Sequence, residues 1–326
     1  MQRHRPVTDI SRRRLVGSLT CLGAQAALAP LSLGSAALAS KTPLALKTVA
    51  DGVLAFEGVV ELETPRNQGA IANLGVVIGS EAAAVIDSGG SVAQAEAFIA
   101  AIKAVTAKPV RYLINTHMHP DHIFGNAPFH ELGAQIVGHR NLPRALEARG
   151  AYYLQSYREQ IGPALMEGME IVPPSVTVED TMQLDLGNRR LELKAWQAAH
   201  TDNDLTVYDP SSGTLFAGDL VFVNHVPTLD GSLLGWMRQM DALAAIPAIR
   251  VVPGHGPVPS PWPQALAAER RYFETLVADL RKAIAAGVPM ADAVAKAGAR
   301  EAKEWALFDD YNGRNAIAAY AELEWE

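Results

Sequence analysis

The sequence His117-Met118-His119-Pro120-Asp121-His122 places four side chains that can bind a metal ion within six positions. The chain has nine histidines, and three of them lie in this stretch. The apolar and β-branched run over 110–115 predicts a strand that ends just before it. Two imidazoles two residues apart converge on one cation when the backbone is extended, whereas Asp121 and His122 follow on the next turn and can bind a second cation. The stretch therefore predicts a loop, stiffened by Pro120, that holds two metal ions.

Three candidates lie far along the chain from this loop, each after an apolar, strand-like run: His200, Asp219 and His255. A single histidine in such a place is more often an ordinary loop residue. Because a mixed sheet gathers the C-terminal ends of its parallel strands at one edge, we expect these three side chains to join the first four in one site.

Short β-branched runs alternate with alanine-rich stretches, which predicts a mixed α and β fold. Strands are predicted over 75–79, 83–87, 110–115, 134–137, 182–186, 191–196, 205–208, 214–217 and 250–252. Helices are predicted over 92–105, 264–286, 290–297 and 313–323. We divide the chain into a signal segment over 1–39, a main domain over 40–262 and a C-terminal helical segment over 263–326.

The composition excludes several classes of function. The chain has 326 residues, a net charge of −7 and 49% hydrophobic residues, so it is not globally disordered. Its first 39 residues are basic, which leaves an acidic body that gains little from neutralising phosphates. We therefore expect no nucleic-acid partner. The one cysteine, Cys21, lies in the basic segment, so the body is expected to form no disulfide, thiolate metal site or cysteine nucleophile.

Residues 1–39 resemble a bacterial twin-arginine export signal. Arg12-Arg13-Arg14 precede a weakly apolar stretch that ends in Ala37-Leu38-Ala39, a typical cleavage sequence. Glycine and proline interrupt this stretch, whereas a membrane span needs about 20 continuous apolar residues. We expect export to the periplasm and cleavage, with no stable membrane span afterwards, rather than a permanent membrane anchor.

The seven candidate ligands give residues 53–258 a resemblance to the metallo-β-lactamase superfamily. The resemblance implies an αββα sandwich, here with a C-terminal helical appendage. It also implies that His117, His119 and His200 hold a first metal, that Asp121, His122 and His255 hold a second, and that Asp219 bridges the two. Subclasses with a cysteine in the second site do not fit, because Asp219 stands at that place in the pattern.

Sequences flanking the ligands resemble the quinoprotein relay system zinc metallohydrolases over nearly the whole chain. They include Ile71-Ala72-Asn73, the stretch over 115–126, the run Ala199-His200-Thr201-Asp202-Asn203-Asp204-Leu205-Thr206, Asp230-Gly231-Ser232-Leu233, Phe308-Asp309-Asp310-Tyr311 and Ala319-Tyr320-Ala321-Glu322-Leu323-Glu324-Trp325-Glu326. The resemblance implies association with a periplasmic PQQ-dependent dehydrogenase or a c-type cytochrome. It implies no particular substrate.

The predicted site suits a hydrolase that uses a metal-bridging hydroxide on an ester, thioester or amide. Asp121 is the candidate catalytic residue, which would orient the hydroxide and accept its proton. Two zinc ions are favoured by the imidazole ligands, with iron or manganese as alternatives. The alternative functions are a β-lactamase, an iron-dependent sulfur or redox enzyme of the same fold, and a non-catalytic accessory protein.

Several further residues have two possible roles. Asp87 is either an acceptor for a ligand imidazole or a helix-start residue, and His225 either lines the cleft or lies on a surface loop. His130 and His139 are expected to be structural. Asp202 and Asp204 replace a turn that is common in thioesterases and lactamases, which disfavours both substrates. In the helical tail, Tyr311, Arg314 and Asn315 are candidates to meet an anionic substrate, but a structural ion pair is the more frequent role of such an arginine.

Overall fold

The structure, a computed structural model, describes residues 44–326. The predicted signal, its arginine run, its cleavage sequence and Cys21 lie outside the described residues. Within residues 44–326, no helix is both long enough and apolar enough to cross a membrane.

Residues 44–326 contain thirteen strands, which form two sheets. The first sheet has the order β1-β2-β3-β4-β5-β6-β7, with β1 Lys47–Ala50, β2 Val53–Phe56, β3 Leu74–Ile78, β4 Ala83–Ile86, β5 Val110–Ile114, β6 Gln135–His139 and β7 Val176–Val178. The second has the order β13-β12-β11-β10-β9-β8, with β8 Thr181–Asp185, β9 Arg190–Ala195, β10 Leu205–Asp209, β11 Thr214–Phe222, β12 Arg250–His255 and β13 Ser260–Pro261. Strands β4 to β7 run parallel, and so do β11 and β12.

An apolar core lies between the two sheets, formed by side chains such as Val77 and Ile86 from the first sheet and Leu193 and Phe216 from the second. Strand β9 alternates exposed and buried residues, as expected for a strand with one face in the core. Strand β11 is buried along its whole length, because helices cover its second face. The buried apolar area is the main stabilising contribution to this arrangement.

In the described part of the chain, eight α-helices cover the sheets or connect them: α1 Val92–Val105, α2 Pro120–Ile123, α3 Asn126–Glu131, α4 Leu142–Ile161, α5 Leu233–Ala244, α6 Leu266–Ala285, α7 Met290–Val294 and α8 Phe308–Leu323. Helix α1 begins at Ser91, whose side chain accepts a hydrogen bond from the backbone of Gln94. Helices α1 and α3 pack on the first sheet, and α5, α6 and α8 pack on the second. The predicted αββα sandwich with a C-terminal helical region is confirmed.

The structure corrects the predicted elements at several places. Helices α4 and α5 and strands β1, β2 and β7 are absent from the sequence prediction. The sequence of α4 is polar on most of its surface, and the missed strands have only three or four residues, so neither gives a clear periodic pattern. Strand β11 also extends to Phe222, beyond the predicted end at Ala217.

Candidate metal centre

The loop after β5 combines extended backbone with one short helix. The backbone of His119 is extended, and Pro120 begins α2, where a missing N–H costs nothing. This geometry presents His117 and His119 before the helix, while Asp121 and His122 lie on the helix itself. The loop has the conformation that the sequence predicts.

A buried polar network holds the loop after β5 in place. The side chain of Asn126 exchanges two hydrogen bonds with that of Asn115, at 2.8 and 3.0 Å, and donates to Val172 O. Ser88 Oγ lies 2.8 Å from Asn126 Oδ1 and also donates to His122 O. Because these groups are buried and paired, movement of α2 would leave polar atoms unsatisfied.

Three imidazole nitrogens converge in a first group. His119 Nδ1 lies 3.0 Å from His117 Nε2 and 2.9 Å from His200 Nε2. Asp219 Oδ2 lies 3.7 Å from His117 Nε2 and 3.4 Å from His200 Nε2. These four ligand atoms lie within 4.8 Å of one another. The structure brings together the three histidines that the family resemblance assigns to the first metal, and Asp219 joins them.

A second group lies beside it. Asp121 Oδ2 is 3.3 Å from His255 Nε2 and 3.4 Å from His122 Nε2. Asp219 Oδ1 is 3.2 Å from His122 Nε2, and its Oδ2 is 3.4 Å from His255 Nε2. The carboxylate of Asp219 therefore contacts both groups, as expected for a residue that bridges two ions.

Asp87 controls two of the imidazoles. Its Oδ2 accepts a hydrogen bond of 2.8 Å from His122 Nδ1, which leaves His122 Nε2 free to bind a metal. Thr116 donates to Asp87 through its backbone N and its Oγ1, each at 2.8 Å. Because Thr116 Oγ1 donates to Asp87, it accepts from His117 Nδ1 at 3.0 Å, and His117 Nε2 also remains a free ligand. Of its two possible roles, Asp87 has that of an acceptor for a ligand imidazole.

The loop over 227–232 fixes the other two members of the first group. Thr228 O accepts from His200 Nδ1 at 2.7 Å, and Asp230 Oδ2 accepts from His119 Nε2 at 3.1 Å. His119 therefore presents Nδ1 to the centre, whereas His200 presents Nε2. Arg149 of α4 also donates to Asp230 Oδ2. The identity of each ligand atom thus follows from the hydrogen bond on the opposite side of its ring.

Helix α8 supports that loop. Asn315 Nδ2 donates to Pro227 O at 2.6 Å, and Asn315 Oδ1 accepts from Leu229 N at 3.0 Å. Glu322 accepts from Ser232 Oγ and from Leu233 N, so it satisfies donors at the start of α5. The C-terminal helix therefore positions the segment that holds His119 and His200.

Electrostatics differ between the two groups. Burial lowers the pKa of His200 to about 4 and that of His117 well below its usual value, so both imidazoles are neutral. Burial opposes a charge on His255, but Asp219 and Asp121 outweigh it and raise its pKa to about 10. In turn His122 and His255 outweigh burial and lower the pKa of Asp121 to about 2. The second group thus holds positive charge between ionised carboxylates.

The donor set fits divalent cations. His122 Nε2, Asp219 Oδ1 and His255 Nδ1 are buried and lack a hydrogen-bond partner among the described residues. A buried polar atom without a partner destabilises the folded state unless a ligand satisfies it. Two of these three atoms, His122 Nε2 and Asp219 Oδ1, face each other in the second group. Imidazole and carboxylate donors without sulfur suit zinc, iron or manganese. A cation that binds the second group would replace the protons on its imidazoles, so that positive charge would still lie between the two carboxylates.

Two glycines make the close packing possible. A Cβ on Gly218, whose φ is +53°, would lie 2.7 Å from the Cβ of Thr116. A Cβ on Gly254 would overlap the carboxylate of Asp219. Gly218 therefore lets β11 approach the loop that carries His117, and Gly254 lets β12 approach Asp219 of β11.

Asn73 joins the two sheets beside the centre. Its Nδ2 donates to Pro253 O at 2.8 Å and to Gly256 O at 3.0 Å, and its Oδ1 accepts from Gly58 N at 2.9 Å. The residues on either side of His255 are therefore tied to the start of β3. This buried amide accounts for the motif Ile71-Ala72-Asn73.

A cavity of about 430 Å³ opens beside both groups. Its walls include Tyr152, Tyr153 and Tyr157 of α4 and Tyr311, Arg314 and Asn315 of α8, together with Glu63 and His225. Sequence reasoning missed the α4 residues and Glu63, because α4 was not predicted and Glu63 is a lone acid in a loop. The half-buried Glu63 side chain has a raised pKa because of burial and the nearby Asp121.

The structure places the remaining candidates as follows. His225 lines the cavity, with its Nδ1 bound to Val226 O. His139 is buried and bonds to Trp196 O and Asn141 N, a structural role, whereas His130 is exposed at the end of α3. Arg314 has no ion pair with any described residue, so the expectation that it forms a structural ion pair is wrong.

Two positional expectations also change. Asp219 lies inside β11 rather than after its end, because the strand continues past Gly218. His200 lies in the loop between β9 and β10, well beyond the end of β9 at Ala195. In that loop Asp204 accepts from Thr201 N and Oγ1, and burial raises its pKa to about 8.

Comparisons with known proteins give a family and two kinds of relative. The model of the metallo-beta-lactamase superfamily matches residues 68–255. A linear primary-alkylsulfatase from Pseudomonas sp. is 23% identical over 206 residues, which are 53% of this chain and 39% of the sulfatase. The chain thus spans about two fifths of the length of this curated relative.

Solved structures share the fold at low identity. A metallo-beta-lactamase from Pontibacter korlensis is 20% identical with a TM-score of 0.57, over 71% of this chain and 99% of that protein. A stereoselective inverting sec-alkylsulfatase from Pseudomonas sp. is 16% identical with a TM-score of 0.63, over 86% of this chain and 50% of that protein.

Proposed function

The chain belongs to the metallo-beta-lactamase superfamily, and from this membership we propose that it is a dinuclear zinc hydrolase of an ester, thioester or amide. The observation that carries the proposal is the convergence of seven imidazole and carboxylate groups from both sheets beside an open cavity. The reaction adds water across the scissile bond, so that an ester gives a carboxylic acid and an alcohol.

In this proposal His117, His119 and His200 hold the first ion, Asp121, His122 and His255 hold the second, and Asp219 contacts both. Two divalent ions there would act as Lewis acids and lower the pKa of a shared water. Asp121 lines the cavity as an ionised carboxylate, so it is placed to orient the attacking water and to accept its proton. Asp87, Thr228 and Asp230 keep the ligand rings in their binding orientation. Iron and manganese remain alternative metals, because they accept the same donors.

A second candidate is hydrolysis of a sulfate ester. Both the curated relative and one structural neighbour carry the name alkylsulfatase, and the cavity of this chain contains two arginines, Arg149 and Arg314. A guanidinium is well suited to a sulfate group. A β-lactam is the third substrate class to be tested, since the Pontibacter korlensis neighbour is a metallo-beta-lactamase.

The experiment combines metal analysis with a substrate screen. The full-length chain is expressed with its own leader, purified, and analysed for metals, and we expect two zinc ions per chain. The screen contains para-nitrophenyl esters, a thioester, an alkyl sulfate and a chromogenic cephalosporin. We expect Asp121→Ala to abolish turnover, whereas Asp241→Ala on the exposed surface of α5 retains it. Zinc-loaded protein without turnover of any substrate would contradict the proposal, and bound iron with oxygen consumption would favour the redox alternative.

We further propose that the protein works in the periplasm after twin-arginine export, beside a PQQ-dependent dehydrogenase or a c-type cytochrome. The support is the sequence of residues 1–39 and the flanking motifs. Replacement of Arg12 and Arg13 by lysine should retain the protein in the cytoplasm, which cell fractionation measures. Recovery of neither partner after crosslinking in the native cell would argue against the association.

A further inference from the structure

Arg314 differs from the other arginines of the described chain. Most of them pair with a carboxylate or donate to a backbone carbonyl, for example Arg271 with Glu301 and Arg250 with Ser212 O. Among residues 44–326 only Arg158, Arg238 and Arg314 lack such a partner. Of these three, only Arg314 lines the cavity beside the metal centre. Arg314 is exposed, so solvent satisfies its donors in the free protein and an anionic ligand in the cavity can replace that solvent.

Nearby acids do not pair with Arg314. Asp310 stands one turn earlier on the same helix, and Glu63 lies on the cavity wall near Tyr311, yet neither forms an ion pair with the guanidinium. Instead the guanidinium carbon lies 5.9 Å from the centre of the Tyr311 ring. The aromatic ring supports the side chain without satisfying its N–H donors.

The other cavity arginine is already engaged. Arg149 donates to Asp230, which holds His119, and to the hydroxyl of Tyr153 at 3.4 Å. Both hydrogen bonds use Nη1, and the ion pair with Asp230 balances the charge of Arg149. Arg314 is the one arginine in this cavity, within the described chain, that has no carboxylate partner.

We propose that Arg314 is a specificity-determining residue that binds a carboxylate or sulfate group on the substrate, so that this hydrolase acts on anionic substrates. The inference rests on the proposed hydrolytic function. Arg314 lines the same cavity as Asp121, Asp219 and His255, and about 430 Å³ holds a small substrate whose anionic end meets Arg314 while its scissile bond meets the metal centre. The guanidinium fork matches both oxyanions.

The first test compares two esters of similar size, one negatively charged and one neutral. Para-nitrophenyl hemisuccinate is an anion, and para-nitrophenyl butyrate is neutral. We expect Arg314→Gln to raise KM for the hemisuccinate about tenfold, as for one lost charge-assisted hydrogen bond, with kcat changed less than about twofold. KM for the butyrate should not change, and Arg314→Lys should restore part of the loss. Arg238→Gln is the matched control, because Arg238 is also unpaired but lies outside the cavity.

Equal KM changes for both esters, or none, would overturn the inference. If neither ester is hydrolysed, calorimetric titration of the zinc-loaded chain with phenylbutyrate, hexyl sulfate and phenylbutanol separates the two ideas. Binding of an anion that Arg314→Gln weakens about tenfold supports the role of Arg314 even where the hydrolytic function fails. Equal binding by wild type and variant refutes it, and the stronger of the two anions identifies the group.

Discussion

Replacing Asp87 by Asn should weaken the second metal group most, and the first group less, because His117 is held only indirectly through Thr116. Asp87 has a φ of +57°, a left-handed conformation that Asn tolerates well, so the backbone is preserved. The amide oxygen can still accept from Thr116 N. In place of Oδ2 the variant has an NH₂ group, which cannot accept a hydrogen bond. His122 Nδ1 and Thr116 Oγ1, which both donate to Oδ2 in the wild type, then face another donor. His122 must then give up this hydrogen bond or move its proton to Nε2, where it blocks the metal.

The loss of one buried hydrogen bond to a charged group costs about 1.5–3 kcal/mol, and about 1.4 kcal/mol corresponds to a factor of ten. We therefore expect zinc affinity at the second group to fall about 10- to 100-fold. Competition with a fluorescent chelator resolves the two binding steps, and thermal unfolding followed by circular dichroism checks the fold. Asp241→Asn on the exposed face of α5 is the control. Two wild-type binding steps in a folded Asp87→Asn variant would refute the assigned role.

Three further predictions concern the supporting structure. Asn73→Ala removes three buried hydrogen bonds beside His255, so urea unfolding should show a loss of about 2–4 kcal/mol, and a loss below about 0.5 kcal/mol would contradict the role of this amide. Gly254→Ala should abolish metal binding in elemental analysis, because its Cβ overlaps the carboxylate of Asp219; retention of two ions would disprove the steric argument. Burial raises the folded-state pKa of Glu269 above its unfolded value, so its contribution to stability is present at low pH and is lost as pH rises. Glu269→Gln should therefore become more stable relative to the wild type as pH rises from acidic to neutral, and parallel curves of unfolding free energy against pH would exclude this.

Much of the fold follows from local sequence. The paired strands β3 and β4 and the helix α1 stand within a residue or two of their predicted limits, because buried apolar runs and the N-cap Ser91 are local signals. Helix α4 carries no such signal: its buried residues occupy a narrow stripe between charged positions, and only contact with the loop of Phe124 makes that stripe part of a core.

The candidate centre is predictable to the same extent. Four of its members are neighbours in sequence, the other three follow strand-like runs whose ends are expected at one edge of a sheet, and the family resemblance assigns all seven to two metals. The hydrogen bonds that select each ligand nitrogen depend on tertiary contacts, such as that between His200 and the carbonyl of Thr228, and a backbone carbonyl has no sequence signature. The unpaired state of Arg314 is likewise visible only once every neighbouring acid has a position.

The support that α8 gives to the loop over 227–232 has a consequence for biosynthesis. The side chains of Asn315 and Glu322 secure a segment synthesised about ninety residues earlier, and that segment orients His119 and His200. We therefore expect the imidazoles to reach their final alignment only after residues 308–323 have been synthesised, and the full set of ions to bind only after that point.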